Sequence, residues 1–195
     1  MTVRHLILDR DGVLNREAPA SGYILRPEDF HWLPGALEAL AMLHKARVRL
    51  SVATNQSAVG RGLLDQTRLE SIHARMREEA QAAGGRLDAV LCCPHAPGEH
   101  CDCRKPAPGL ILAALQAGTI PAAQTLVVGD DVRDIEAARA AGVAGVLVLT
   151  GKGERAQALL RDSGVTIPVY DTLLDLARHL VVGGEPMNDY SFLPR

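Results

Sequence analysis

Short apolar runs rich in β-branched residues alternate with segments of helical period along this chain, and that alternation leaves few folds open to it. Runs at 3–8, 48–54, 87–92, 125–128 and 143–149 read as strands, with a weaker sixth at 166–170. Helices are expected between them. Pro34 and Gly35 open the first, with Leu37, Leu40 and Ala41 on one face. A long charged helix follows at 66–83, and Leu110, Ile111, Ala114 and Leu115 mark a third. Further helices are expected at 131–141, capped by Gly142, and at 154–163 and 173–180. Strand and helix in this repeated order imply an α/β fold, a Rossmann-like parallel sheet with helices on both faces.

The chain has 195 residues, which suits one domain, read as 1–182 with a tail at 183–195. It is 47% hydrophobic but 3% aromatic, so its core must be built from aliphatic side chains. A formal net charge of -2 gives no electrostatic case for a nucleic-acid or membrane partner. No apolar run reaches the roughly 18 residues of a membrane span. Residues 1–9 have no signal-peptide pattern and read as a strand, so a cytoplasmic location is expected. No apolar heptad suggests assembly, and a monomer is expected.

Polar residues cluster at the strand ends. Asp9 and Asp11 follow the first strand, Thr54 and Asn55 end the second, Cys93 follows the third and Asp130 follows the fourth. In an open parallel sheet the C-terminal strand ends share one edge, where ligands bind. Asp9 and Asp11 point the same way in extended chain, and Gly12 permits a sharp turn after them. By itself Asp-x-Asp-Gly also fits a solvated acidic turn. With Asp130 added, three carboxylates from two strand ends suit a hard cation such as Mg²⁺. Asp131 and Asp134 fit a capping arrangement at a helix N-terminus. Thr54, Asn55, Gln56 and Ser57 offer donors for phosphate oxygens, and Arg104 and Lys105 add two cations.

All four cysteines lie between 92 and 103. Cys93, His95, Cys101 and Cys103 supply three thiolates and one imidazole, a closed tetrahedral set for structural Zn²⁺. Cys92 continues an apolar strand and reads as a core residue. A zinc-bound loop here would fix the position of Arg104 and Lys105.

The ordered segments Asp9-Arg10-Asp11-Gly12, Thr54-Asn55-Gln56, Arg104-Lys105-Pro106 and Gly129-Asp130-Asp131 resemble the four motifs of the haloacid dehalogenase superfamily. The resemblance implies a Mg²⁺-dependent phosphatase. Asp9 would be the nucleophile and Asp11 the general acid and base, with Thr54 and Lys105 stabilising the phosphoryl group. Mg²⁺ would sit on Asp9, the backbone carbonyl of Asp11, and Asp130. The Cys-x-His…Cys-x-Cys loop running into Arg-Lys-Pro resembles one branch of the superfamily, which holds sugar-bisphosphate phosphatases and histidinol-phosphate phosphatases.

Residues 54–62, with Ser57 and Arg61, and Thr150-Gly151-Lys152-Gly153 are similar to the heptose-bisphosphate side of that branch. Ser21, Gly22 and Tyr23 resemble its flap over the sugar. The implied substrate is a small phosphorylated heptose on the way to lipopolysaccharide or related surface glycans. Asn55, Gln56, Ser57, Arg61 and Arg104 are expected to contact it. No insertion is long enough for a large cap domain. Histidinol-phosphate hydrolysis, removal of 3′-phosphate from nucleic-acid ends, and a non-catalytic zinc-bearing interaction module are the alternatives.

Overall fold

The computed structural model describes residues 2–18 and 22–183. Six parallel strands form one sheet in the order β3-β2-β1-β4-β5-β6. They are β1 (His5–Leu8), β2 (Arg49–Asn55), β3 (Ala89–Cys93), β4 (Thr125–Gly129), β5 (Ala144–Val148) and β6 (Val169–Tyr170). The helices are α1 (Ala36–Lys45), α2 (Gln66–Ala82), α3 (Gly109–Gly118), α4 (Val132–Ala140), α5 (Gly153–Asp162) and α6 (Leu173–Val181). The weak sixth run keeps only its last two residues as strand.

The two-residue period of the strands builds both faces of the core. Leu6 and Leu8 pair in register with Leu50 and Val52 and with Leu126 and Val128, and face α1, α2 and α6. Ile7, Ala53 and Val127 face the other way, onto α3 and α4. A smaller cluster of Leu147, Ile135, Ala156 and Leu160 joins α5 to the sheet. Rows buried on both sides explain why the strands read as continuous apolar runs. In α1 the buried face is Ala36, Ala39, Leu40 and Leu43, while Leu37 only borders the core. Ala41, expected on the inner face, stands one position off the helical stripe.

The segment between β1 and α1 folds back on itself rather than forming a cap. The Arg16 N–H donates to the His31 carbonyl and the Leu33 N–H to that of Leu14, both at 2.9 Å. Trp32 donates its indole N–H to Glu79 at 2.6 Å, and Arg75 donates to the Pro27 carbonyl at 2.6 Å, fastening the segment to α2. Ser21, expected in the flap, and tail residues 184–195 lie outside the described residues. Among the described residues no helix is long and apolar enough to cross a membrane.

Candidate active site

The Asp9 N–H extends the sheet by one bond, donating to the Val128 carbonyl at 2.9 Å, so Asp9 and Asp130 leave neighbouring strands side by side. Their carboxylates and that of Asp134 offer ligand atoms within 4.8 Å of one another. Gly12 makes this approach possible. Its φ is 87°, and a Cβ there would lie 2.0 Å from an Asp130 oxygen. The Lys152 N–H donates to Asp130 at 2.9 Å.

Lys105 is buried and faces two carboxylates, Asp9 at 2.9 Å and Asp134 at 2.5 Å. Burial would lower its pKa, but Asp134 and Asp9 outweigh that and hold the ammonium above the usual lysine range. Burial pushes Asp9 up to about 6 against the pull of Lys105, with Asp134 adding to the rise. Asp130 is pushed up to about 8, by burial first and then by the Asp9 charge. Crowded acids that resist ionisation are the donor set a divalent cation would relieve.

Asp134 has both oxygens engaged. One meets Lys105; the other accepts the Asp131 N–H at 3.1 Å and closes the capping box of α4. Asp9 meets Lys105 and the Arg10 N–H through Oδ1, and Asp130 meets the Lys152 N–H through Oδ2, so each has a second carboxylate oxygen that could be offered to a cation. The capping role read for Asp131 and Asp134 is present, but the grip of Asp134 on Lys105 has no local sequence signal.

Asp11 turns its side chain away from that pair. It accepts two hydrogen bonds from Arg10 Nη2 at 3.0 Å, one from Asn15 at 2.9 Å and one from Gln56 at 2.9 Å. Burial works against its ionisation, but Arg10, Asn15 and Gln56 outweigh it and hold the carboxyl below its ordinary value. Arg10 is fully buried and also reaches His73 Nε2 at 3.3 Å. Gln56 donates to Thr54 Oγ1 at 2.9 Å, which frees the Thr54 hydroxyl hydrogen for the cavity. Asn55 clasps Lys105 on both backbone sides, donating to its carbonyl at 3.0 Å and accepting its N–H at 3.1 Å.

Asp9, Asp11, Thr54, Asn55, Gln56, Lys105 and Asp134 open on a cavity of ≈ 410 Å³ that Gly22, Tyr23, Ser57, Arg104, Arg133 and Lys152 also line. Arg61 does not belong to it: that side chain is exposed beyond the turn that joins the Gly60 N–H to the Pro94 carbonyl. Arg133, unremarked in the sequence, does line it, held by Asp131 at 2.7 Å.

The thiols of Cys93, Cys101 and Cys103 and the Nδ1 of His95 form a second cluster within 4.8 Å. Adjacent sulfurs are 3.6 Å apart, and His95 Nδ1 lies 3.5 Å from Cys93 and 3.3 Å from Cys103. Tetrahedral zinc with its usual bond lengths requires edges of about 3.5–3.8 Å, so the four residues fit that ion. Cys92 is half-buried against the main core and outside the set. Arg104 donates to the His95 carbonyl at 3.1 Å, which ties the cluster to the loop that carries Lys105.

The profile of the HAD-hydrolase-like family matches residues 102–176. A D-glycero-beta-D-manno-heptose-1,7-bisphosphate 7-phosphatase of Pseudomonas putida is 43% identical over 176 residues, covering 90% of this chain and 98% of that protein. The chain belongs to the heptose-1,7-bisphosphate 7-phosphatase family. Another member, from Neisseria meningitidis, is 37% identical over 90% of this chain and 94% of its own. A member named for the alpha anomer, from Mycobacterium tuberculosis, is 40% identical over 68% of this chain and 70% of its own. Among solved structures, the D,D-heptose 1,7-bisphosphate phosphatase of B. bronchiseptica, complexed with magnesium and phosphate, superposes with a TM-score of 0.84. It is 38% identical and the match covers 91% of this chain and 98% of that one. The six-stranded parallel sheet is thus the family fold.

Proposed function

We propose that this member of the family removes the 7-phosphate of D-glycero-D-manno-heptose 1,7-bisphosphate, leaving heptose 1-phosphate for surface-glycan synthesis. The observation that carries this reading is the convergence of Asp9, Thr54 and Lys105 on one cavity, with an Asp130 oxygen within 4.8 Å of Asp9, in a chain so similar to named heptose bisphosphatases over nearly all its length. Asp9 and Asp130, with the Asp11 carbonyl, would hold Mg²⁺, which supplies positive charge to the phosphoryl oxygens when bound.

Asp9 attacks phosphorus with one carboxylate oxygen. The bond from phosphorus to O7 breaks, and its electron pair leaves with O7, which takes a proton from Asp11. Water then attacks the aspartyl phosphate and gives a proton to Asp11, which frees Asp9 and inorganic phosphate. Lys105 and the Thr54 hydroxyl donate to the transferred group, where its charge develops. Asp11 is held as an anion by Arg10, Asn15 and Gln56, the form that accepts the water proton. The first step needs the acid, so the grip of Arg10 must loosen as the leaving oxygen enters.

The second phosphate calls for a cation farther out. Lys152 is paired with Glu17 at 2.5 Å and Arg133 with Asp131 at 2.7 Å. Arg104 has no carboxylate partner among the described residues, and its fork suits a phosphate. The cation of the zinc-tied loop therefore receives the 1-phosphate. The zinc cluster supplies shape alone, because four protein ligands leave no open position. A comparison of kcat/KM on both anomers of the bisphosphate and on histidinol phosphate tests the assignment. A preference for histidinol phosphate would overturn it.

A further inference from the structure

We propose that the sheet edge opposite the catalytic cavity carries a second anion site, shaped for a small molecule with contiguous phosphate groups. Three neighbouring strands bring an arginine to their N-terminal ends: Arg86 just before β3, Arg49 at the start of β2 and Arg4 just before β1. Arg47 joins them from the turn after α1. All four line one open cavity of ≈ 430 Å³, in which Asp88 is the sole acid. Asp88 is already engaged by Arg86 Nε at 3.0 Å and by the Leu50 N–H at 3.0 Å. Among the described residues Arg4, Arg47 and Arg49 have no ion-pair partner. The cluster is a local excess of positive charge on a chain whose net charge is -2.

Two nitrogens in the wall behind the cavity lack partners. Arg49 Nε and His5 Nδ1 are buried without a hydrogen-bond partner among the described residues. Both meet beside Gly118, where a Cβ would stand 3.4 Å from Arg49 Nε and 3.2 Å from His5 Nδ1. An arginine Nε–H is always a donor, and an unmet buried donor is costly. His5 Nε2 lies 2.9 Å from Ser51 Oγ, so the neutral ring can accept there and keep its proton on Nδ1, a second buried donor beside Arg49.

The rim carries a third sign. Arg47 and Thr119 adopt φ of 61° and 53°, a left-handed backbone normally left to glycine at helix ends. Among the described residues His100 is the one other non-glycine residue with positive φ. Such positions persist where the side chain is used. His44 and Arg47 also complement the negative end of the α1 dipole, but that account does not reach Arg4, Arg49 or Arg86, which sit at strand starts. Guanidinium forks bind phosphate in a two-pronged way, and adjacent phosphates match several forks at once. The strand length puts this site about 16–20 Å from Asp9.

The test uses the full chain with Mg²⁺ and its catalytic cavity filled by orthovanadate. Inorganic diphosphate and adenosine triphosphate are titrated separately, with calorimetry and amide NMR as readouts. The expected result is one saturable event with Kd below about 100 μM. Amide shifts should fall at Arg47, Arg86 and Thr119 and spare Asp9. If the nucleotide binds more tightly than diphosphate, the natural ligand is a nucleotide; equal binding points to inorganic phosphates. Arg47→Gly should weaken binding about tenfold. It should leave the phosphatase kcat/KM unchanged and not lower the melting temperature, since glycine suits that backbone. Absence of saturation, meaning an adventitious ion only, would overturn the proposal. So would shifts confined to the catalytic edge, unchanged affinity in Arg47→Gly and Arg4→Gln, or tighter binding of a single-stranded oligonucleotide at this face.

Discussion

Lys105 Nζ lies 2.5 Å from Asp134 Oδ1, and both side chains are almost wholly shielded from water. The pair joins the loop after the zinc cluster to the first turn of α4. Removing one partner strands a buried charge, at a cost of about 3–5 kcal/mol where no other partner remains. Asp9 still faces Lys105, so Asp134→Asn is expected to lose about 2–3 kcal/mol, part of it from the broken capping box. Urea unfolding measures this. A loss under about 0.5 kcal/mol would show that Lys105 is held by other means.

Asp9→Asn should lower kcat by at least about 10³-fold, because the amide keeps the shape but not the nucleophile. The same change removes a carboxylate that burial and Asp134 make hard to ionise. The variant without Mg²⁺ should therefore be at least as stable as its parent at pH 8. A variant that turns over normally would remove Asp9 from the nucleophilic role.

The pH dependence of stability follows from four buried groups. In the metal-free protein Asp9 and Asp130 have folded pKa values of about 6 and about 8, above the ordinary aspartate value of 3.8, so the folded state binds more protons. Their contribution is full at low pH and is lost as pH rises through those values. His5 and His73 move the other way, lowered by burial to about 4 and about 3 from 6.5. Their contribution is full above pH 6.5 and is lost as pH falls toward the folded values. Without Mg²⁺ the melting temperature should peak at about pH 6–7 and decline on both sides. Saturating Mg²⁺ should remove the alkaline decline and leave the acid one. An alkaline decline unaffected by Mg²⁺ would contradict the cation assignment.

Much of this was legible from the chain. Strand positions were plain because rows buried on both faces must be apolar throughout, as Leu6 to Leu8 and Leu126 to Val128 are. The cluster of Cys93, His95, Cys101 and Cys103 was plain because its members are close in sequence. Tertiary pairings were less so. Asn55 and Gln56, expected at the substrate, line the cavity, but nothing in their local sequence announces that their amides also hold Lys105 and Asp11. Arg10, between two acids, sits in a pocket completed by His73 of α2, and no pattern around Arg10 announces that. Arg61 lies past a turn whose direction depends on the bond between Gly60 and Pro94.

Metal analysis should find about one zinc per chain. Cys101→Ser should lower the melting temperature and raise KM for the bisphosphate, since the loop that carries Arg104 and Lys105 loses its anchor. Protein without zinc, but with unchanged stability and KM, would separate the cluster from the catalytic loop.

Asp11→Asn should slow hydrolysis of the sugar phosphate far more than that of an activated aryl phosphate, whose leaving group needs no proton. Arg10→Gln should have the opposite bias, since a loosened Asp11 is more readily protonated. It would keep the sugar-phosphate step while weakening the water-activation step. Burst kinetics on the aryl substrate distinguish the two. Equal slowing of both substrates by Asp11→Asn would end its role as the general acid.

The proposed reaction removes one particular phosphate. Phosphorus NMR of the product from D-glycero-D-manno-heptose 1,7-bisphosphate tests it directly. Inorganic phosphate and a sugar that keeps its signal at C1 are expected, because the slender primary ester reaches Asp9 while Arg104 holds the other end. A product that keeps its phosphate at C7 would contradict it.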